Sequence, residues 1–274
     1  MSKSVRRSSS VGRVLFVLFF AASPSAITLV SVDQEIDIGK QANAQMKKET
    51  PQLNDAEAAT YVRGIGQRLA RVVNGPKYPY SFVIADSRDI NAFALPGGYV
   101  WIHRGVLEKA TNESQVAGVL AHEIAHIARR HAASQLTTAA MTKWSLGLLG
   151  AMLGNTGGAG AAQVAAEFLA SGVFLRFNRD EEREADRVGL TVLTRAGWDA
   201  RGMVELFEIV RREAGRDPSS VEAFFSSHPT PKNRVAELQA VVRAHRGGTR
   251  DTRQFQTIKA RLLKAPAPAQ GHNR

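Results

Sequence analysis

The chain has 274 residues, of which 44% are apolar, so it is long enough to form one large domain with its own core. It contains no cysteine, which excludes disulfides, cysteine-ligated zinc and a thiol nucleophile. The net charge is +11, but the basic residues are scattered and not interleaved with aromatic ones, which argues against a nucleic-acid partner and leaves attraction to an anionic membrane surface open.

Residues 1–26 have the pattern of an export signal. A basic segment precedes the apolar stretch Val11–Ala22, and small residues follow it. This pattern predicts a secretory signal peptide that ends at Ala26. Because apolar residues resume as far as Val32, an uncleaved N-terminal anchor is the alternative. Both interpretations imply that the rest of the chain is exported.

Residues 33–110 predict packing helices and a small sheet. Amphipathic patterns indicate one helix that ends at Pro51 and a second over Ala56–Val73. Tyr80–Ala85 alternates like a strand. A short helix at Gly105–Ala110 leads into the next segment.

A second extended segment follows the first strand. It comprises Asn91, Ala92, Phe93, Ala94 and Leu95. Pro96-Gly97-Gly98 separates it from a third extended piece, which predicts a hairpin or an edge strand beside the next long helix. An edge strand can bind an extended peptide by adding it to the sheet. An ordinary edge strand with a tight turn explains the pattern equally well.

Residues 112–131 predict a helix that carries the motif HExxH. Asn112 is a candidate N-cap, and apolar residues recur after it at helical spacing. His122 and His126 are four residues apart, so both imidazoles leave one face of the helix, where neutral nitrogens can bind one zinc ion. Glu123 is rotated by about 100°, beside the metal, where it can take a proton from metal-bound water. A chance match is the alternative, so the zinc hypothesis needs a third ligand.

The segment 136–177 is apolar and rich in glycine. Trp144–Leu153 and Ala165–Phe177 are apolar, and Gly154–Ala162 between them is a glycine and alanine run. Neither apolar piece reaches the ~18–20 residues that a membrane span needs. Three interpretations stay open: a mobile lid, contact with a membrane surface, and helices that cover the core with a flexible connector between them.

The segment 176–197 predicts a second helix with carboxylates on its packed face. Glu182 and Asp186 are four residues apart and share that face. Glu182 supplies the third ligand that a His₂Glu zinc site requires. Asp186, one turn further on, can accept the free N–H of a ligating imidazole and fix its tautomer. An acid-rich first turn is the alternative; it accounts for neighbouring acids such as Glu184 but not for the pair on the packed face.

The remaining chain predicts two more helices and a loop histidine. The helices are expected over Gly202–Ala214 and around Ile258. His228 lies between them, before a proline, where it could reach the metal, polarise a substrate oxygen, or cap a helix from a turn. Residues 265–274 are expected to be a disordered tail.

Four motifs occur in one order: Asn-Ala-Phe-Ala-Leu-Pro-Gly-Gly at 91–98, HExxH at 122–126, Glu-x-x-Ala-Asp at 182–186 and Ser-His-Pro at 227–229. In these motifs the chain resembles the gluzincin zinc metallopeptidases that include HtpX-like, BepA-like and LoiP-like proteases and the CAAX prenyl endopeptidases. The resemblance runs from about Ser31 to Leu263. Two features of individual members are not expected here: multi-span membrane segments, and a lipid anchor on an N-terminal cysteine.

The resemblance implies a site for one zinc ion. The implied ligands are His122, His126 and Glu182. Glu123 is implied to be the general base, and Asp186 an outer carboxylate that is sometimes described in this family as a proton donor. The segment 91–95 is implied to be the edge strand that aligns the substrate. A histidine that matches His228 can occupy the fourth zinc position in BepA-like members, which makes it either an inhibitory latch or, once displaced, an oxyanion donor.

The sequence therefore predicts an α+β, mainly helical fold of the gluzincin type, with a small sheet beside the HExxH helix and a metallopeptidase domain at 31–264. The predicted function is a zinc endopeptidase of the bacterial periplasm that cleaves misfolded or envelope proteins, with membrane-surface contact as an additional option. One alternative is a chaperone-like binder, latched by His228, that acts in outer-membrane protein assembly. Another is a membrane-surface adaptor that uses the basic charge and the segment 144–175. No nucleic-acid partner is expected.

Overall fold

The computed structural model describes residues 28–142, 157–171, 176–228, 234–243 and 247–266. The predicted signal or anchor at 1–26, the apolar stretch 144–153 and most of the predicted tail lie outside these ranges. Within them, no helix is both long and apolar enough to cross a membrane.

Two helices precede the sheet, α1 (Val32–Glu49) and α2 (Ala56–Ala70). Ser31 caps α1 by accepting a hydrogen bond from the Gln34 amide, and Asp55 caps α2 in the same way. Pro51 follows the C-cap residue Thr50, where the helix ends, because proline cannot continue a helix interior. Both helices agree with the sequence pattern, although α2 ends three residues earlier than expected.

Three strands form the small sheet: β1 (Ser81–Ala85), β2 (Ala92–Leu95) and β3 (Tyr99–His103), in the order β1-β3-β2. β3 is parallel to β1 and antiparallel to β2. The β2–β3 turn is Pro96–Gly98, in which Gly97 has a φ of 73°, a conformation that glycine adopts without strain. A side chain there would also meet the backbone of Glu35. The predicted hairpin is confirmed, and β2 is an edge of the described sheet.

The described helices that follow the sheet are α3 (Arg104–Lys109), α4 (Glu113–Ala128), α5 (His131–Thr142), α6 (Gly157–Ser171), α7 (Arg179–Arg195), α8 (Arg201–Ala214), α9 (Glu222–Ser227), α10 (Arg234–Arg243) and α11 (Arg253–Lys264). The mainly helical α+β prediction is confirmed.

Helix α4 is the centre of the fold. Every residue from Glu113 to Ala128 is buried, and α4 packs against α2, β2, α7 and α8. Burial on all sides explains why, after the polar first turn, its sequence is apolar or small except where the HExxH side chains project. This helix therefore holds those side chains in a rigid, dry environment.

Helices α1, α5 and α6 form a second apolar cluster beside this centre, in which Ile38, Leu136 and Phe168 are buried together. The expectation of a flexible connector at Gly154–Ala162 is wrong for residues 157–162, which belong to α6. Helix α6 packs along α1. Packing against a neighbour therefore overrides the low helix propensity of glycine.

Candidate metal centre

The HExxH motif lies in the C-terminal half of α4. The side chain of Asn112 accepts a hydrogen bond from the Gln115 amide, so the predicted N-cap is confirmed. His122 and His126 leave the same face of the helix, and their Nε2 atoms are 3.0 Å apart. Both side chains are buried.

Helix α7 brings the predicted third donor to the two histidines. Asn178 begins this helix with a capping box that includes Glu181. The carboxylate of Glu182 lies with Oε1 3.4 Å from His126 Nε2 and with Oε2 3.6 Å from His122 Nε2. Two separate helices therefore place two imidazoles and one carboxylate around one point.

His228, at the C-terminal end of α9, joins the same cluster. Its Nδ1 is 2.8 Å from Glu182 Oε1 and 3.3 Å from His122 Nε2. One donor atom each from His122, His126, Glu182 and His228 lies within 4.8 Å of the others. His228 is fully buried and is the C-cap residue of α9, so a position at a helix end and contact with the donor cluster occur together.

The residues present fit a bound metal ion. Two imidazole nitrogens that face each other at 3.0 Å beside a carboxylate form a set of lone pairs that one shared cation satisfies. The carboxylate of Glu123 is completely buried, and neither oxygen has a hydrogen-bond partner among the described residues. Burial of a carboxylate without a hydrogen-bond partner destabilises the folded protein, unless a bound metal or reactant interacts with it.

The electrostatics of the cluster follow from burial and close contact. Burial raises the pKa of the Glu123 carboxyl and lowers that of His126 well below its usual value. Burial also disfavours the charged forms of His122 and Glu182, but contacts with oppositely charged neighbours outweigh the effect of burial on their pKa values. The carboxylates of Asp186 and Glu182 raise the pKa of His122 to about 9, and the surrounding histidines hold the pKa of Glu182 well below its usual range.

Asp186 lies where the sequence predicts it, behind His122. Its Oδ1 is 3.1 Å from His122 Nδ1. Arg234, the first residue of α10, bonds both Asp186 oxygens and also approaches Glu182. Sequence reasoning missed this arginine. The signal was its place on an apolar stripe, because Leu238 and Val242 follow it at helical spacing and are buried.

His131 was also missed. It lies behind His126, with the two Nδ1 atoms 2.8 Å apart, and its Nε2 is 3.2 Å from Glu184 Oε2. Glu184 also pairs with Arg129. The interpretation of Glu184 as an acid that merely suits a helix N-terminus is therefore wrong. The available signal was a further histidine five residues after the second histidine of HExxH.

Aromatic rings close the cluster from the side. Phe177 stacks on the His126 ring with centroids 3.7 Å apart, and the Phe177 amide donates a hydrogen bond to the Ser227 carbonyl, next to His228. Phe224 lies 5.2 Å from the His228 ring. These contacts limit access to the donor atoms in this conformation.

The predicted substrate-aligning segment lies at the sheet edge that packs on α4. Its five residues, Asn91, Ala92, Phe93, Ala94 and Leu95, all have buried side chains. In this structure the described part of the chain thus covers both the donor cluster and the side chains of the edge strand.

The chain matches peptidase family M48 over residues 56–242. It is similar to the Beta-barrel assembly-enhancing protease of Escherichia coli (strain K12), at 33% identity over 222 residues that cover 78% of this chain and 45% of the relative. It is also similar to the mitochondrial metalloendopeptidase OMA1 of Schizosaccharomyces pombe, at 30% identity over 65% of this chain and 51% of the relative. Metalloprotease YcaL of Escherichia coli is 25% identical over 64% of this chain and 68% of the relative. The chain spans about half the length of the first two relatives.

Proposed function

Because the chain belongs to peptidase family M48, we propose that it is a zinc endopeptidase in which Glu123 acts as the general base. The observation that carries this proposal is the convergence of donor atoms from His122, His126 and Glu182 beside a buried Glu123 carboxylate without a hydrogen-bond partner among the described residues. The two histidines lie in α4 and Glu182 lies in α7, so the packing of these two helices brings the donor atoms together.

His122, His126 and Glu182 would hold the ion. Two imidazoles and one carboxylate are a donor set of catalytic zinc sites that leave a position open for a reactant. When bound, zinc supplies a Lewis acid that polarises the scissile carbonyl and makes a water molecule more acidic. Asp186 Oδ1 lies 3.1 Å from His122 Nδ1, where it would accept the proton of that nitrogen and keep the Nε2 lone pair of the ring on the metal side.

Glu123 carries the proton in the proposed reaction. A water oxygen forms a bond to the carbonyl carbon while one water proton moves to a Glu123 oxygen. The carbon–nitrogen bond then breaks, and the same proton passes to the leaving amine, so one carboxylate serves as base and then as acid. Burial raises the pKa of Glu123, which increases its strength as a base.

The edge strand would bind the substrate through its backbone. We propose that an extended peptide pairs with the segment 91–95, which contains β2, because an edge strand has one side on which its amide and carbonyl groups can pair with an added strand. Residues 91–95 are buried as whole residues in this conformation, so the segments that cover them must move before the strand backbone can pair with a peptide. This mode of binding has little sequence preference and suits unfolded proteins.

Export and partners follow from the N-terminal pattern and the relatives. A secretory signal or anchor at 1–26 supports a periplasmic location. One relative is named for β-barrel assembly, so we propose misfolded or envelope proteins as substrates and the outer-membrane assembly machinery as a partner. The basic charge supports contact with an anionic membrane surface, which flotation with anionic liposomes would test.

A second function is favoured by the position of His228. Its Nδ1 is 2.8 Å from Glu182, and its Nε2 is 3.5 Å from Glu123 Oε1. A histidine held there supports a latched, chaperone-like binder that cuts rarely. Cleavage of casein by His228→Ala separates the two roles. Increased cleavage supports the latch, and reduced cleavage supports a donor to the substrate oxyanion.

The test of the main proposal combines metal content with casein cleavage for the wild type and Glu123→Gln. Both proteins are expected to bind one zinc ion, and the variant should lose cleavage by about 10²–10⁴-fold because the base is gone. Glu57→Gln, on the exposed side of α2, is the matched control and should cleave normally. A wild type without bound metal would refute the zinc site, and an active Glu123→Gln would refute the base.

A further inference from the structure

The turn between α4 and α5 places His131 against His126. Helix α4 ends at Ala128, and Arg130 adopts a φ of 60°, the one left-handed non-glycine conformation in the described ranges. The Arg130 guanidinium is tied to the buried Glu35 carboxylate and to the Val30 carbonyl. These contacts hold the turn in a conformation that is unfavourable for an isolated arginine. The position of His131 is therefore determined by the turn.

A chain of contacts runs from His126 through His131 to a carboxylate. His126 Nδ1 is 2.8 Å from His131 Nδ1, and His131 Nε2 is 3.2 Å from Glu184 Oε2. A carboxylate accepts hydrogen bonds and cannot donate them, so His131 Nε2 carries a proton and donates it to Glu184. The Nδ1 atom of a neutral His131 ring is then an acceptor. His126 Nδ1 must be the donor in the first contact.

This order of donors determines which nitrogen of His126 is free. With its proton on Nδ1, His126 has a lone pair on Nε2, the atom that lies 3.4 Å from Glu182 and 3.0 Å from His122 Nε2. We propose that His131 is a positioning residue that fixes the tautomer and orientation of His126 and thereby strengthens metal binding. This inference rests on the proposed zinc site.

The two ligating imidazoles are supported in different ways. The Nδ1 atom of His122 faces the buried Asp186 directly, whereas the Nδ1 atom of His126 is linked to a carboxylate through a second imidazole. That carboxylate, Glu184, is 22% exposed and paired with Arg129. His131 therefore links a buried ligand to a charge near the surface. Phe177 holds the plane of the His126 ring by stacking, but an aromatic face does not choose between the two ring nitrogens.

The experiment measures zinc affinity of the full chain by competition with a chelator. His131→Phe removes the acceptor and keeps a ring, and zinc affinity should fall by about 10–100-fold. His131→Gln restores an acceptor for His126 and a donor for Glu184, so its affinity should stay within a few-fold of the wild type. His103→Phe, the same substitution at a half-buried histidine on β3 outside the cluster, is the matched control and should bind zinc normally.

Visible absorption of the cobalt-substituted proteins reports the ligand environment without any substrate. The His131→Phe spectrum should differ from the wild type, while His131→Gln and His103→Phe should not. Wild-type affinity in a folded His131→Phe overturns the inference, as does an equal loss in His131→Gln, which would indicate packing alone. If His131→Phe does not fold, Glu184→Leu tests the same chain, and unchanged affinity overturns it. A wild type that binds no zinc would instead refute the proposed function.

Discussion

The guanidinium of Arg234 meets the carboxylate of Asp186 in two parallel contacts, Nε to Oδ2 and Nη2 to Oδ1, each 2.7 Å long. Arg234 Nη1 also lies 2.6 Å from Glu182 Oε2. One buried arginine from α10 therefore pairs with both carboxylates that α7 directs at the histidines. The face of its guanidinium lies over the Phe207 ring, at 4.3 Å from the centroid, which further restricts its orientation.

Replacement of Arg234 by methionine should destabilise the metal-free protein. It leaves Asp186 and Glu182 buried without their cation, and breaking a buried ion pair costs about 3–5 kcal/mol in the free energy of unfolding. Urea unfolding in the presence of a chelator measures the loss. Arg261→Met is the control, because Arg261 pairs with acids at the surface and is 54% exposed; its loss should stay below about 1 kcal/mol. Equal losses in both variants would contradict the prediction.

Substitution of Glu113, in the first turn of α4, should also lower the free energy of unfolding strongly. Its buried carboxylate accepts hydrogen bonds from the side chains of Tyr61, Trp198 and Thr252, which join α2, the end of α7 and the start of α11. Glu113→Ala leaves these donors unpaired and should lower the free energy of unfolding by about 3 kcal/mol. Tyr61→Phe removes one donor and should cost about 1 kcal/mol. A Glu113→Ala protein no less stable than Tyr61→Phe in urea would refute this role.

The contacts inside single helices could be predicted from the sequence. His122 and His126, and likewise Glu182 and Asp186, are four residues apart, so helical periodicity alone puts each pair on one face. The β2–β3 hairpin was predictable for a similar reason, because Pro96-Gly97-Gly98 determines a local turn. The family and the mainly helical fold are confirmed on this basis. The roles of the site residues stay predictions.

Contacts between distant segments were not predictable in the same way. Arg234 reaches Asp186 from another helix, and no local pattern records that approach. His131 faces His126 because Arg130 takes a left-handed conformation, which sequence favours for glycine or asparagine and not for arginine. The parallel pairing of β1 with β3 also skips the strand between them in the chain. Each of these features depends on packing in three dimensions.

His103 should make stability depend on pH. Burial lowers its pKa from 6.5 to about 4 in the folded chain. The unfolded chain therefore binds the proton first as pH falls, and stability present above pH 6.5 is lost as pH falls toward 4. In His103→Phe this contribution is absent. As pH falls from 6.5 to 4, the free energy of unfolding of the wild type should fall, relative to that of the variant, by on the order of 2–3 kcal/mol. Parallel curves from urea unfolding at a series of pH values would contradict it.

Gly189 should control the distance between the two helices that supply the donors. A Cβ atom there would lie 2.9 Å from Met203 Cε, which is the end of a flexible side chain. It would also lie 3.2 Å from both the Ala121 carbonyl oxygen and His122 Cα, which are backbone atoms of α4 and cannot yield without moving the helix. Gly189→Ala should therefore push α7 outward and carry the Glu182 carboxylate away from the histidines. We expect zinc affinity to fall by about tenfold and the free energy of unfolding to fall by about 1–3 kcal/mol.

The matched control for Gly189 is Gly64, which is exposed on α2 and has no atom within 4 Å of an added Cβ. Gly64→Ala should leave zinc affinity unchanged and raise the free energy of unfolding by about 1 kcal/mol, because alanine favours a helix over glycine. Chelator competition and urea unfolding of both variants give the comparison. If Gly189→Ala bound zinc as tightly as Gly64→Ala, close contact of α7 with α4 could not be what positions Glu182.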